Sequence, residues 1–405
     1  PDADRIQLVD VDSGDGEPLQ ICCGAFNMKI GDLVPLATLG TIMNNGMEIA
    51  KRKMRGQWSN GMLCAASEIG LGVDSEGIML LDSSFEVGAP LKEALGIQED
   101  VLFDLEVNPN RPDAMSIAGV ARDLAALQGK KFSLPTPKEK ERGKSVNERL
   151  SVEILAPELC GRFVARILDN IEVGPSPSWV SNRLIALGMR PINNVVDASN
   201  YVMLELGQPS HTYDLDRVHG SGFKVRKAQE GEKITTLDGI ERPLTSSDGV
   251  VADAKNVAIG IAGVMGGAST EIDQDTKTIA LEMAWWDPIS ISATARRLGL
   301  RSEASSRFER GADPEIADLA MQRFAEILSS SGATLTPGTL DSRGNLPHRP
   351  PVRVRIQRVN KMLGVNLSRK EISKLLESLE FKTSKSGEDL DVGIPSFRFD
   401  SSEEI

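Results

Sequence analysis

The chain has 405 residues, with 46 Lys and Arg against 58 Asp and Glu, for a formal net charge of −12. Apolar residues make up 40% and charged residues 26%, which excludes a disordered or collagen-like chain and implies about two to four folded domains. No stretch approaches the ~18–20 uninterrupted apolar residues of a membrane span, so no membrane partner is expected.

The amino terminus, PDADRIQLVDVD, is acidic and alternating, without a basic-then-apolar leader. The four cysteines, Cys22, Cys23, Cys64 and Cys160, show no C-x-x-C spacing and therefore neither a disulfide framework nor a zinc site. The simplest expectation is a cytoplasmic protein with reduced thiols. Global acidity argues against indiscriminate coating of nucleic acid, but binding depends on the local field. Two places carry a local excess of positive charge. One is Lys51, Arg52, Lys53 and Arg55, beside Glu48; the other is Arg296, Arg297, Arg301, Arg307 and Arg310, beside Glu303 and Glu309. Either cluster is also compatible with a merely solvated face.

Over the first hundred residues, IQLVDVD, LQICCG, LVPLATL, GMEIAKRKMRG and GIMLLD read as short strands between glycines. This spacing predicts a small all-β barrel or sandwich. In VNPNRPDAMSIAGVARDLAALQG, Pro112 and Asp113 precede a helical run with Ile117, Val120, Ala121 and Leu124 on one face. Residues 135–150, PTPKEKERGKSVNERL, have the composition of a charged linker. Next, Ser176 and Pro177 are placed to open a helix bearing Val180, Leu184 and Leu187, with Gly188 at its end. FKVRKA, GVVADA, NVAIGIAG and TIALEMAWW read as strands, and PEIADLAMQRFAEILSSSG as a helix. A final unit opens with the strand VRVRI, followed by Ser368 and Glu371 at capping-box spacing before a helix lined by Ile372, Leu375, Leu376 and Leu379. No repeat recurs, and the expected fold class is α+β multidomain.

Phosphate-loop, metalloprotease-helix and nucleophile-elbow motifs are absent from the sequence, and there are only three histidines, His211, His219 and His348. Residues 190–220 gather Arg190, Asn193, Asn194, Asn200 and His211 around an apolar run. They read either as a pocket wall or as a corner whose amides satisfy backbone groups. His211, after Gly207, Gln208 and Pro209, reads as a turn residue. AGVMGG (262–267) offers backbone that a ligand can approach closely, although most such runs are structural turns. Glu282 lies inside TIALEMAWW, where an unpaired carboxylate is costly, so it needs a partner in the protein or in a ligand.

Three segments, RPINNVVDASNYVMLELGQPSHTYDLD, IAGVMGG and TARRLGLRSEASSRFERGADP, closely resemble the beta-subunit family of bacterial phenylalanyl-tRNA synthetases. The resemblance extends to ICCGAFNMKIGDLVPLATLG and KRKMRGQWSNGMLCAASEIGL, which look like that family's oligonucleotide-binding barrel, and to VRVRIQRVNKMLGVNLSRKEISKLLESLEF, which is similar to the start of its winged-helix-like domain. It implies an oligonucleotide-binding β-barrel over 1–103 whose first strand is missing, because the chain begins inside the family's HPNADRL motif. A connecting helical segment and linker (104–150), a mixed α/β tRNA-editing domain (151–345) and an incomplete winged-helix-like domain (350–405) follow.

The resemblance further implies an assembly of two alpha and two beta subunits acting on tRNA(Phe). The alpha subunit carries ATP- and Mg2+-dependent activation of phenylalanine, and the beta subunit removes misattached tyrosine. Carried over position by position, the editing residues are His211, Glu282, Arg190, Ser199 and Asn200, with Ala262, Gly263, Gly266 and Glu282 around the tyrosyl group. Lys51, Arg52, Lys53 and Arg55 stand in the barrel segment as tRNA contacts. Asp400 matches only the first of the family's magnesium carboxylates. Ser199 stands where the family usually has Thr, and GQPSHTYD replaces the commoner GQPLHAFD. RFERG (307–311) superficially resembles the arginine motif of class II active sites but lies within the editing signature. The competing expectations are a tRNA- or partner-binding scaffold without hydrolysis, and a freestanding editing hydrolase.

Overall fold

A computed structural model describes residues 6–72, 75–97 and 101–404; the expectation about the barrel's missing first strand falls on residues outside these. The chain divides into two compact units, one comprising residues 1–103 with 185–187, and the other residues 104–184 and 188–405.

In the first unit, strands Gln7–Val11 and Leu19–Cys23 pair antiparallel, as do Leu36–Ala37 with Met62–Leu63 and Arg52–Met54 with Gln57–Ser59. The described strands form three separate two-stranded ladders rather than one continuous sheet. Ile21, Cys23, Leu63 and Ile78 make one small core, and Ala37, Met43, Ile49 and Cys64 another. GIMLLD does not form a strand; it contributes one bridge, Leu33 to Leu81. All four cysteines are free. Burial pushes the Cys64 thiol up to about 11 and raises Cys23 and Cys160 as well, so these three are poor nucleophiles.

The second unit is built on two sheets. In the first, Ile279–Trp286 lies between Cys160–Asp169 and Ser210–Asp214, all antiparallel, with Thr334–Leu335 and Leu340–Arg343 on the far side of Cys160–Asp169. All eight residues of Ile279–Trp286 are buried, as expected of a strand covered on both faces. One face carries Leu281 and Met283 against helices Ser178–Ala186, Asn194–Leu206 and Ala317–Ser329, through Val180, Val195, Val202, Met321 and Phe324. The opposite face, with Ala280, Ala284 and Trp286, packs toward the second sheet. That sheet runs Met265–Gly266, Ala258–Ile261, Gly249–Asp253, Gly222–Lys227, Ser151–Ile154. Its last pair is parallel.

At the carboxy-terminal end, Val352–Val354, Asp389–Gly393 and Lys382–Ser386 form an antiparallel sheet over Ile372, Phe381, Leu390 and Val392. Ser368 and Glu371 make the expected reciprocal cap of helix Arg369–Ser378.

Several local expectations are overturned. Ser176 does not cap the helix after it: its hydroxyl donates to Asp197 Oδ2 at 2.5 Å, and Pro177 O accepts from Val180 and Ser181 instead. The charged segment 135–150 is not a free linker. Val146 and Leu150 are buried, Arg142 N donates to Leu335 O and Val146 N to Pro337 O, both at 2.9 Å, and Glu141 pairs with the buried Arg166. Helix Ile117–Leu127 turns its expected apolar face outward, with Ile117 56% and Leu124 50% exposed. Its buried residues are Gly119 and Arg122. The Arg122 guanidinium stacks 3.8 Å from the Phe397 ring centroid and pairs with Glu380 at 2.8 Å.

Candidate functional site

Two residues apart on strand Ser210–Asp214, His211 and Tyr213 share one face of the sheet. In the ladder His211 stands directly opposite Glu282, and Tyr213 opposite Ala280. His211 is therefore a strand residue and not a turn residue: the sheet pairing overrides the Gly-Gln-Pro signal before it. Tyr213 reaches diagonally and donates its hydroxyl to Glu282 Oε2 at 2.5 Å, while the His211 and Tyr213 rings meet edge to face with centroids 4.5 Å apart.

The turn after Ala258–Ile261 supplies the facing wall. Ala262, Gly263 and Val264 reverse the chain into Met265–Gly266, with Val264 N donating to Ile261 O at 3.0 Å and Gly263 at φ +66°. Ser302 Oγ donates to Val264 O at 2.8 Å, and this ties the turn to helix Glu303–Phe308. A Cβ placed on Gly266 would lie 2.2 Å from the His211 ring, so only a residue without a side chain lets this backbone approach the imidazole.

These elements border a small cleft open to solvent, with His211, Tyr213 and Glu282 on one side, Gly260 to Gly266 on another, and Ala304 and Phe308 on a third. Glu282 is 6% exposed. Burial pushes its carboxyl up from the ordinary 4.5 to about 7, against the Tyr213 hydrogen bond, which favours the charged form. Burial also lowers His211 from 6.5 to about 4, so the imidazole is neutral at pH 7. Tyr213 is raised well above its ordinary value by burial and by the neighbouring Glu282 charge, so it remains a hydroxyl donor. The arrangement can accept a hydrogen bond deep in a partly apolar cleft, and it sets a neutral imidazole beside that acceptor.

Of the residues singled out from the sequence, His211, Glu282, Ala262, Gly263 and Gly266 line this one cavity. Ser199, on helix Asn194–Leu206, touches it only through Ser210, with the two hydroxyls 2.7 Å apart. Arg190, which is exposed, and Asn200 are not among the lining residues. Asn193 and Asn194 follow the structural alternative. Asn193 Oδ1 accepts from Val195 N and Val196 N, and Asn194 bridges Glu172 O and Gly174 N. Tyr213, Ala304 and Phe308 were not marked by sequence reasoning; the only available signal was the Tyr in GQPSHTYD, where the resembled family commonly has Phe.

The arginine cluster at 296–310 is not a free basic patch. Arg297 pairs with the buried Asp248, and Arg307 is buried, donating to Glu303 and to Met115 O. RFERG thus joins helix Glu303–Phe308 to the 3₁₀ turn Pro112–Met115. Both oxygens of Asp400 accept from Arg398, at 2.8 and 2.9 Å, and no group of three or more metal-ligating side chains occurs among the described residues. The residues present do not fit a magnesium site. The first basic cluster does stand out into solvent, on hairpin Arg52–Met54/Gln57–Ser59.

Comparison with known proteins gives three family matches: a putative tRNA binding domain over residues 1–90, a B3/4 domain over 159–332 and a tRNA synthetase B5 domain over 352–405. The phenylalanine–tRNA ligase beta subunit of Anaeromyxobacter dehalogenans is 45% identical over 404 residues, covering 99% of this chain and 50% of that protein. Its counterpart from Nitratidesulfovibrio vulgaris is 45% identical over 403 residues, again 99% and 50%, and that from Geobacter sulfurreducens 43% over 408 residues, 100% and 50%. The chain spans about half the length of the curated relatives it matches. A solved amino-terminal fragment of the phenylalanyl-tRNA synthetase beta-subunit from Pyrococcus horikoshii is 16% identical with a TM-score of 0.35, covering 72% of this chain and 80% of that one. At that score the likeness carries no argument.

Proposed function

The chain belongs to the phenylalanine–tRNA ligase beta-subunit family, and we propose on that premise that its own chemistry is hydrolysis of Tyr-tRNA(Phe) in the Glu282 cavity. The observation that carries the reading is that Glu282, buried in an open cleft, already accepts one phenolic hydroxyl, that of Tyr213, at 2.5 Å. A tyrosyl ring entering between Gly260–Gly266 and Phe308 offers the same group to the other carboxylate oxygen. A phenylalanyl ring offers nothing and leaves the carboxylate desolvated, at a cost of about 1–3 kcal/mol. A synthetic pocket shaped for phenylalanine discriminates against an added hydroxyl by only about 100-fold, so a site with the inverse preference is chemically useful.

In this reading the neutral His211 and the backbone of the 262–266 turn hold the ester and orient water, while Ser199 fixes the strand start through Ser210. Arg190 and Asn200, outside the cavity lining, act on the tRNA end. Lys51, Arg52, Lys53 and Arg55 meet the tRNA backbone from an oligonucleotide-binding barrel, and the last fifty residues form part of a winged-helix-like domain. The working enzyme is a cytoplasmic assembly of two alpha and two beta subunits, in which ATP and Mg2+ serve the activation step on the alpha subunit.

The test is deacylation of Tyr-tRNA(Phe) and Phe-tRNA(Phe) by this chain and by Glu282→Ala. Selective loss of the tyrosyl ester, abolished by the substitution, supports the reading; an equally active Glu282→Ala protein refutes it. If neither ester is cleaved, repeating the assay with full-length beta subunit and purified alpha subunit separates a binding scaffold from a site that needs its assembly.

A further inference from the structure

Hairpin Arg52–Met54/Gln57–Ser59 holds an aromatic residue among its cations. Trp58 stands opposite Lys53 in the ladder, and Lys51, two residues earlier, shares that face. The Lys51 and Lys53 Nζ atoms lie 5.3 and 5.6 Å from the indole centroid. The backbone beneath the indole is fastened down: Gln20 Nε2 donates to Trp58 O at 2.8 Å, and the buried Ser59 hydroxyl accepts from Cys22 N at 3.0 Å and donates to Gly61 O at 3.0 Å. The indole itself is 46% exposed. The backbone that carries it is thus fixed while the ring itself stays half in solvent.

The electrostatic surroundings single out this hairpin. Residues 1–103 contain seven Lys and Arg against sixteen Asp and Glu, and four of the seven lie at positions 51–55. Around the tip, Arg55 (φ 45°) and Gly56 (φ 87°) form a two-residue turn with both central residues left-handed, the geometry that usually takes Asn, Asp or Gly first. An arginine there costs about 1–2 kcal/mol of backbone strain.

Phosphate contacts alone need only the cations. An acidic peptide would also use the lysines, but its carboxylates are repelled by the negative face of an indole. A single-stranded nucleic acid uses both features, because each nucleotide couples a phosphate to a flat base, and its unstacked bases rest on aromatic faces. We propose that Trp58 is a stacking platform for an unpaired nucleotide of RNA, with Lys51 and Lys53 on the adjoining phosphates. This rests on the reading that the hairpin meets tRNA, and adds that an unstacked base is held there.

The test is fluorescence-anisotropy titration of labelled tRNA(Phe) and labelled oligouridylate with this chain at stepped salt concentrations. The variants are Trp58→Ala, Trp58→Phe and Lys51→Ala/Lys53→Ala. Trp58→Ala should weaken oligouridylate binding about 5- to 150-fold, the factor equivalent to the ~1–3 kcal/mol of one stacked base, with an unchanged salt slope, while Trp58→Phe keeps most of the affinity. The double lysine variant should reduce the slope of log K against log salt by about 1.4, or ~0.7 per lost phosphate contact. If Trp58→Ala binds both RNAs as the parent does, the stacking role is overturned while tRNA contact by the lysines stands. If the parent binds neither RNA, both fall.

Discussion

Replacing Glu282 by Gln should stabilise the protein at alkaline pH while removing the proposed preference for the tyrosyl ester. Burial holds this carboxyl at about 7 where an unfolded chain has 4.5. Between those values the native state keeps a proton that the unfolded state has lost, so raising the pH favours unfolding. The loss begins near 4.5 and is complete above about 7. At about 1.4 kcal/mol for each tenfold change in proton affinity, it amounts to about 3 kcal/mol. Gln keeps the shape, and its carbonyl oxygen still accepts from Tyr213, but it never ionises.

The variant should therefore match the parent near pH 4.5 and exceed it by about 3 kcal/mol near pH 8. His211 acts on the acid side. Lowered to about 4 by burial, it withdraws stability as pH falls from 6.5, and it does so in both proteins, so it cancels in the difference. Urea unfolding at about pH 5 and about pH 8, followed by the fluorescence of the buried Trp285 and Trp286 on the same strand, measures the two differences. A difference that does not change with pH, or a variant less stable than the parent at pH 8, would refute the claim that an ionising buried carboxylate sits here. Deacylation by the same sample then reports whether the charge that destabilises the fold is the one that selects tyrosine.

Three other substitutions have definite outcomes. Tyr213→Phe removes the donor to Glu282 Oε2. It should raise the carboxyl's proton affinity further, visible in its infrared titration, and cost about 1–3 kcal/mol, more at pH 8 than at pH 5. Gly266→Ala puts a methyl 2.2 Å from the His211 ring; displacing that ring should cost about 1–3 kcal/mol in urea unfolding and suppress deacylation. Arg162, 2% exposed, donates to both oxygens of Asp341 at 2.9 and 3.0 Å, to Asp318 at 2.9 Å and to Pro314 O at 2.6 Å. Arg162→Ala should destabilise by about 3–5 kcal/mol, with full-length soluble yield and urea midpoint as the readouts.

The central strand and three of the five strands of the second sheet, Gly222–Lys227, Gly249–Asp253 and Ala258–Ile261, were legible because short apolar or alternating runs bounded by turn residues admit few alternatives; Ser151–Ile154 and Met265–Gly266 carried no such signal. The Ser368–Glu371 cap was legible because its chemistry is local. What escaped depends on partners far away in the chain. Arg122 goes inside because Glu380 and Phe397 receive it, so the apolar stripe beside it is left facing water. Counting charges at 296–310 could not reveal that Asp248 and Glu303 meet Arg297 and Arg307. Residues 135–150 read as solvated because Val146 and Leu150 are their only aliphatic side chains, yet both are buried. His211 looked like a turn residue because the Pro and Gly before it are real turn signals; the strand simply starts one residue sooner.

Glu282 was marked by the local pattern without help, as a carboxylate in a run of apolar neighbours. Its pairing with Tyr213 admits a purely structural explanation, a buried donor and acceptor satisfying each other. Three features of the cavity weigh against that as the whole account. The bond occupies one carboxylate oxygen, and no bond to the other is seen among the described residues. Glu282, though buried, also lines the open cleft, and the backbone at Gly266 lies where no β-carbon could fit against the imidazole. A purely structural pair would be dispensable, since replacing two buried polar partners by apolar groups of the same shape is close to neutral. The sheet instead carries a carboxylate that weakens it above pH 7, beside a cleft wide enough to admit another hydroxyl, which is the arrangement expected of a site that recognises a phenol.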